Sequence, residues 1–214
     1  SFSQNKIIDS VSGGALIWNN PTGISIDKGV DFKQKFKDTT YPIVAWLIRH
    51  TRKILIGKVI HKGLTKLELI SRPLDGTTET PQKPMRWQTR SSYMQYKNLD
   101  KLLDHRKSIA AIYRKKLPKD IQLPYTKGTT YIRFPIIVKN RQGLISHLEE
   151  AGVHVSDIWY DSPISPIRFM PLTDYKGDCP TADRISKKML NLPTHIRITP
   201  EKAEAIAEEI NKWL

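Results

Sequence analysis

Ser1-Phe2-Ser3-Gln4-Asn5-Lys6, followed by Ile7-Ile8-Asp9-Ser10-Val11-Ser12 and then Gly13-Gly14-Ala15-Leu16-Ile17-Trp18, is the stretch on which the fold turns. The glycine pair reads as a turn, because glycine enters left-handed backbone without a steric penalty. Residues 15–18 behind it predict a buried strand, ended by the breakers Asn19-Asn20-Pro21-Thr22-Gly23. One strand does not stand alone, so this one reads as the edge of something larger. Taken by itself Lys6 is a solvated surface residue, as most lysines are. Its company sets it apart: a Ser-Phe pair before it and a glycine turn after it.

Working outward, residues 41–70 are rich in Ile, Leu, Val and Trp. Arg49, Arg52, Lys53, Lys58 and Lys62 interrupt them too often for a bilayer-spanning helix. We expect one or two packed helices with a solvated basic face; a helix lying on a membrane surface is the second reading. Residues 71–84 (SRPLDGTTETPQKP) read as a loop. Tyr96, Leu99, Leu103, Ala110, Tyr113 and Leu117 then mark one stripe of a long amphipathic helix ended by Pro118. Beyond it the pattern predicts a strand over 130–138, a helix over 141–151 closed by Gly152, and a short strand over 153–155. A helix over 179–190, a strand over 196–198 and a final helix over 200–214 follow. Thr199 is the expected N-cap of that last helix, and Ala203, Ile206, Ile210 and Trp213 its buried face.

A chain of 214 residues with 39% hydrophobic and 26% charged residues can bury a core, which excludes an intrinsically disordered class. The formal charge of +14 suits polyanions such as nucleic acid, anionic lipid or phosphorylated metabolites, without choosing among them. No RRM, KH or zinc-finger pattern sustains a nucleic-acid module. The single cysteine, Cys179, permits no internal disulfide, reads as an inert packing residue, and makes the cytoplasm the simplest home. The six histidines lack the paired spacings of zinc sites, so no metal is expected. His195, next to the apolar Ile196, reads as a structural residue, and Trp159-Tyr160 as pocket lining or core.

The opening stretch resembles the active-site segment of the DegT/DnrJ/StrS aminotransferases, where a Ser-Phe pair, a lysine and a glycine-rich turn follow at this spacing. Two further landmarks are similar. His105-Arg106-Lys107-Ser108-Ile109-Ala110 with Tyr113 and Leu117 resembles the family's linking helix. Asn191-Leu192-Pro193-Thr194-His195 resembles its closing Leu-Pro-x-His signature. A weaker similarity lies in residues 156–163, at an aromatic-Pro stretch. Where relatives carry Gly-Glu or Gly-Asp before the two glycines, this chain has Val11-Ser12 and so lacks a carboxylate. The family's asparagine that reaches the partner subunit's cofactor phosphate has no match in residues 80–92; Gln88 is the first substitute to consider.

The resemblance implies an α/β fold, the C-terminal part of a fold type I (aspartate aminotransferase-like) PLP-dependent transferase. Residues 1–27 would finish its large cofactor-binding domain, 28–84 form a helical basic segment and linker, and 85–214 the linking helix and small domain. Ser1, in place of Met, reads as a cut end, and the isolated piece is expected to be inactive. The cofactor implied is pyridoxal 5'-phosphate, with Lys6 as the catalytic and cofactor-binding lysine, Ser1 at the phosphate, and Gly13 and Gly14 at the turn. A lysine amine bonds an aldehyde only when unprotonated, and burial or nearby positive charge lowers its pKa toward that state. The reaction implied moves an amino group, from glutamate, to a nucleotide-linked keto sugar in a cytoplasmic homodimer, with no nucleic-acid partner and no need for the membrane. A non-catalytic regulatory relative that keeps the cofactor is the alternative.

Overall fold

A computed structural model describes residues 2, 6–17, 19, 26, 29, 31–51, 63–64, 82–155 and 161–214. The chain divides into two compact units, Ser1–Leu99 and Asp100–Leu214.

In the first unit the main elements are helix α1 (Phe32–Thr51) and helix α2 (Arg86–Lys97). Helix α1 begins before the stretch in which a helix was expected and carries Pro42 in its interior. Proline has no N–H, so the Asp38 carbonyl loses its usual helical donor there. The orientation of α1 departs from expectation: Phe32, Phe36, Ile43 and Trp46 are exposed, while the helix buries Asp38, its sole acidic residue. Asp38 accepts hydrogen bonds from Ser12 of the neighbouring loop and from Gln88, which turns its side of α1 inward and leaves the apolar residues on the opposite side. The strand expected at residues 15–18 is also absent in the described part, residues 15–17. Leu16 is 69% and Ile17 86% exposed, and among the described residues no strand edge pairs their backbone. Trp18, Arg52, Lys53 and most of residues 54–81 lie outside the described residues.

The long helix expected over residues 96–117 is two helices. Helix α2 stops at Lys97, and helix α3 (Leu99–Lys116) starts one residue later. Asn98 makes the break: its N–H donates to the Gln95 carbonyl (3.1 Å) and its side-chain amide to the Met94 carbonyl (2.9 Å). Asparagine competes for backbone groups in this way and interrupts helices. Tyr96 is therefore exposed; of the expected stripe Leu99 and Leu103 are half-buried and Ala110, Tyr113 and Leu117 buried, with Arg106 and Ile109 buried beside them.

In the second unit α3 packs with strand β1 (Phe134–Ile137), helix α4 (Arg141–Glu150), helix α5 (Pro180–Ser186), strand β2 (Met189–Leu192) and helix α6 (Pro200–Trp213). The strands pair antiparallel, Phe134 opposite Leu192 and Ile136 opposite Leu190. Those four side chains share one core with Ile109 and Tyr113 of α3, Leu144 and Leu148 of α4, and Ile206 and Ile210 of α6. Each fully buried aliphatic side chain stabilises the fold by about 1.5–3 kcal/mol relative to exposure.

The strand expected over 130–138 is shorter because Tyr131 takes a left-handed φ of 49°, which a pleated strand does not accommodate. The expected helix over 179–190 ends at Ser186, and Met189–Leu192 pairs with β1 instead. Residues 196–198 consequently form a turn with Ile196 exposed, and residues 153–155 do not form a strand. Cys179 is exposed, preceding α5, not packed. Helix α4 ends as expected, with Gly152 at φ 78° and the Val153 N–H donating to the Leu148 carbonyl. Helix α6 also matches: Thr199 Oγ1 accepts from the Lys202 N–H (3.3 Å), and Ala203, Ile206 and Ile210 are buried.

One polar joint holds this core. Arg106, 6% exposed, donates from one terminal nitrogen to the Ile132 carbonyl and to Thr194 Oγ1, both at 3.1 Å. The Thr194 hydroxyl in turn donates to the Tyr131 carbonyl (2.6 Å). The Tyr113 hydroxyl donates to the Pro193 carbonyl (3.0 Å). Helix α3 is thereby tied to the segments on both sides of the sheet.

Candidate active site

Lys6 sits on a loop closed at its base. The Phe2 N–H donates to the Gly13 carbonyl and the Ser10 N–H to the Phe2 carbonyl, both at 2.9 Å. Inside the loop the Val11 N–H donates to Asp9 Oδ1 (2.9 Å), and the Ser10 hydroxyl donates to the Ser12 carbonyl (3.1 Å). Two residues in left-handed backbone make the turn: Val11 at φ 72° and Gly13 at φ 93°. For a β-branched residue this conformation is strained, so the surroundings must hold it. At Gly13 nothing lies within 4 Å of where a Cβ would stand, so glycine is required there by its backbone angle, and the bend has open space on its outer side.

Two glutamines on α2 provide that hold. Gln95 grips Asp9 at both ends, its Oε1 accepting from the Asp9 N–H (2.9 Å) and its Nε2 donating to the Asp9 carbonyl (2.7 Å). Gln88, two helical turns earlier on the same face, is 3% exposed. Its Nε2 faces the Ser10 carbonyl (3.3 Å), Ser12 Oγ (2.9 Å) and Asp38 Oδ2 (3.0 Å), and its Oε1 accepts from the Met85 N–H (3.0 Å). Helix α1 adds the carboxylate: Asp38, 1% exposed, accepts from Ser12 Oγ at 2.5 Å and from Gln34 Nε2 at 2.8 Å.

Of the residues singled out in the sequence, Lys6 lies half-buried on the loop, Gly13 makes its turn, and Gly14 follows, exposed. Ser1 lies outside the described residues, as do Trp159 and Tyr160. Gln88, the substitute considered for the family's asparagine, is buried with its two amide hydrogens shared among three acceptors of its own unit. Asp38, Gln34, Gln95, Ser10 and Ser12 were missed. Two signals could have found the helical ones: a pair of glutamines seven residues apart, and a sole acid in a twenty-residue helix.

His195, in the second unit, is not part of this loop. Its Nδ1 lies 3.3 Å from the Arg197 N–H and its carbonyl 3.3 Å from His105 Nε2. Burial first, then Arg197, Arg133, Arg106 and His105, lower its pKa to about 4, so the ring is neutral near pH 7. No helix among the described residues is long and apolar enough to cross a membrane.

Among solved structures the chain is similar to Spr1654 of Streptococcus pneumoniae in its apo-form, at 19% identity and a TM-score of 0.52, covering 72% of this chain and 43% of that one. The PLP-form of the same protein gives 20%, 0.51, 65% and 41%. A DegT DnrJ EryC1 StrS aminotransferase of Brucella abortus gives 17%, 0.51, 65% and 39%. The sugar aminotransferase CalS13 of Micromonospora echinospora gives 17%, 0.50, 59% and 35%. The chain thus spans 35% to 43% of the length of these structures. They show its fold, the α/β fold of part of a fold type I transferase, as expected from the sequence. No curated protein matches the sequence. The model of the DegT/DnrJ/EryC1/StrS aminotransferase family matches residues 89–211, more than half of the chain, and the chain belongs to that family.

Proposed function

We propose that the protein carrying this chain is a pyridoxal-phosphate-dependent sugar aminotransferase that moves an amino group from glutamate to a nucleotide-linked keto sugar, working as a cytoplasmic homodimer. In this reading residues 1–27 end a large cofactor-binding domain, 28–84 form a basic helical segment, and 85–214 the linking helix and small domain. The chain alone is inactive. The observation that carries the reading is the closed loop bearing Lys6, in a chain whose residues 89–211 match the family.

The residues present fit the cofactor. It requires an amine for its aldehyde, which Lys6 offers, and backbone that approaches closely, which the turn at Gly13 offers with open space at its outer side. Ser1, Lys6, Gly13 and Gly14 would hold it. When bound, the cofactor supplies an electron sink for the carbon that carries the amino group. The work of Lys6 is done at Nζ, which binds the cofactor while unprotonated and, once released by the amino donor, moves a proton at the substrate carbon. The hydrogen bonds at the loop base and from α2 hold the loop that carries that amine.

The test is an absorbance spectrum of the full-length protein with added pyridoxal phosphate. The expected outcome is a visible band that glutamate bleaches and that Lys6→Ala abolishes. A band that glutamate leaves unchanged would favour a regulatory relative; no band in the unmodified protein would overturn the reading.

A further inference from the structure

We propose that Asp38 is a positioning residue for Lys6, reaching from α1 to lock the turn that closes the lysine loop, with the Ser12 hydroxyl and the Gln88 amide as its link. This rests on the aminotransferase reading of Lys6.

Asp38 is the group that all three parts of the site share. Its Oδ2 accepts from Ser12 on the loop (2.5 Å) and Gln88 on α2 (3.0 Å), its Oδ1 from Gln34 on its own helix (2.8 Å). A carboxylate that is 1% exposed carries a large desolvation cost, and three hydrogen bonds offset it only while they stay aligned. The Ser12 hydroxyl is fixed in direction, because it gives its proton to Asp38 and takes one from Gln88 Nε2 (2.9 Å). Gln88 also donates to the Ser10 carbonyl (3.3 Å). The anchors therefore fall at residues 10 and 12, on either side of Val11 and next to Gly13, the two residues held at positive φ. Phe2 then bonds to Ser10 and Gly13, the same turn, so the turn sets where the loop with Lys6 begins and ends. The Gln95 grip on Asp9 is separate from Asp38, so loss of Asp38 frees one side of the loop and leaves the other held.

A prediction follows that packing alone does not make. Ser12 and Asp38 together hold one carboxylate, and it functions from either side. Ser12→Asp sets two carboxylates against each other and loosens the turn; Ser12→Asp with Asp38→Ser moves the single charge onto the loop and restores it.

The experiment uses the full-length protein and its Asp38→Asn, Ser12→Ala, Ser12→Asp and Ser12→Asp/Asp38→Ser variants. Amide hydrogen exchange over residues 2–13 without cofactor reads the anchoring itself. Borohydride reduction with limiting pyridoxal phosphate, followed by the mass of the Lys6 peptide, reads cofactor capture; the pH midpoint of the visible band reads the setting of the amine. For each single variant we expect faster exchange, a shifted midpoint, and cofactor affinity at Lys6 lower by about tenfold, the equivalent of ~1.4 kcal/mol. The double variant should recover to within about threefold of the unmodified protein, roughly 0.65 kcal/mol. If Asp38→Asn fails to fold, Ser12→Ala and the double variant decide. Single variants that match the unmodified protein in capture and midpoint, or a double variant no better than Ser12→Asp, overturn the proposal. An unmodified protein that captures no cofactor at Lys6 overturns the aminotransferase reading instead, whatever the exchange shows.

Discussion

Acid should weaken the second unit through His195. Its pKa falls from an ordinary 6.5 to about 4, chiefly because burial disfavours the charged ring, with Arg197, Arg133, Arg106 and His105 adding repulsion. The unfolded chain therefore takes up a proton before the folded one does. The stabilisation from this ring is complete above about pH 6.5 and lost as the pH falls toward about 4. The whole shift corresponds to about 3 kcal/mol at ~1.4 kcal/mol per unit, and partial exposure of the ring roughly halves it through solvent screening. About half of the change falls between about pH 7 and about pH 5, so the loss over that interval is roughly 1 kcal/mol. The assay is urea unfolding at those two pH values for the unmodified protein and for His195→Gln, which stays neutral. Subtracting the two cancels carboxylates that titrate alike in both. The unmodified protein should lose about 1 kcal/mol more than the variant, and an NMR titration should place the His195 ring well below its ordinary 6.5. Equal acid sensitivity in both proteins, or a ring that titrates near 6.5, would refute the reasoning.

Ile210→Ala, a truncation at the fully buried seam of α6, should cost about 2–5 kcal/mol in urea unfolding, whereas a loss well under 1 kcal/mol would mean that the helix is not docked. Tyr113→Phe removes the hydroxyl that bonds the Pro193 carbonyl and leaves that acceptor buried without it. It should lower stability by about 1–2 kcal/mol at neutral pH, read by the same denaturation curve, and no change would mean that water takes over the bond.

What the sequence disclosed follows the range of the interactions. Helix α6 was legible because its cap, its proline and its apolar spacing are local, and Gly152 marks the end of α4 in the same way. Asn98 was local too, yet apolar spacing runs across it, and a period of three and four does not register a one-residue break. The second strand was misplaced because Met189–Leu192 and residues 196–198 are both apolar runs, and only pairing with β1 distinguishes them. At the candidate site, Lys6 and the glycines stood out by their resemblance to the family's segment, whereas Asp38 and Gln95 join it only through contacts to Ser12 and Asp9, far away in the chain. Side chains that work by holding backbone carry no motif of their own.

The Arg106 joint has a consequence for what the second unit tolerates. The acceptors of its Nη1 are a carbonyl and a hydroxyl, neutral groups that neither titrate in the physiological range nor gather counterions. Dissolved salt, which weakens an exposed pair such as Lys212 with Glu209, has little purchase on it. Lysine would differ in rigidity: its ammonium turns freely on a flexible stem, whereas the guanidinium plane fixes the direction of both Nη1 hydrogens toward Ile132 and Thr194. The joint works as a rigid bracket, specified by direction rather than by charge.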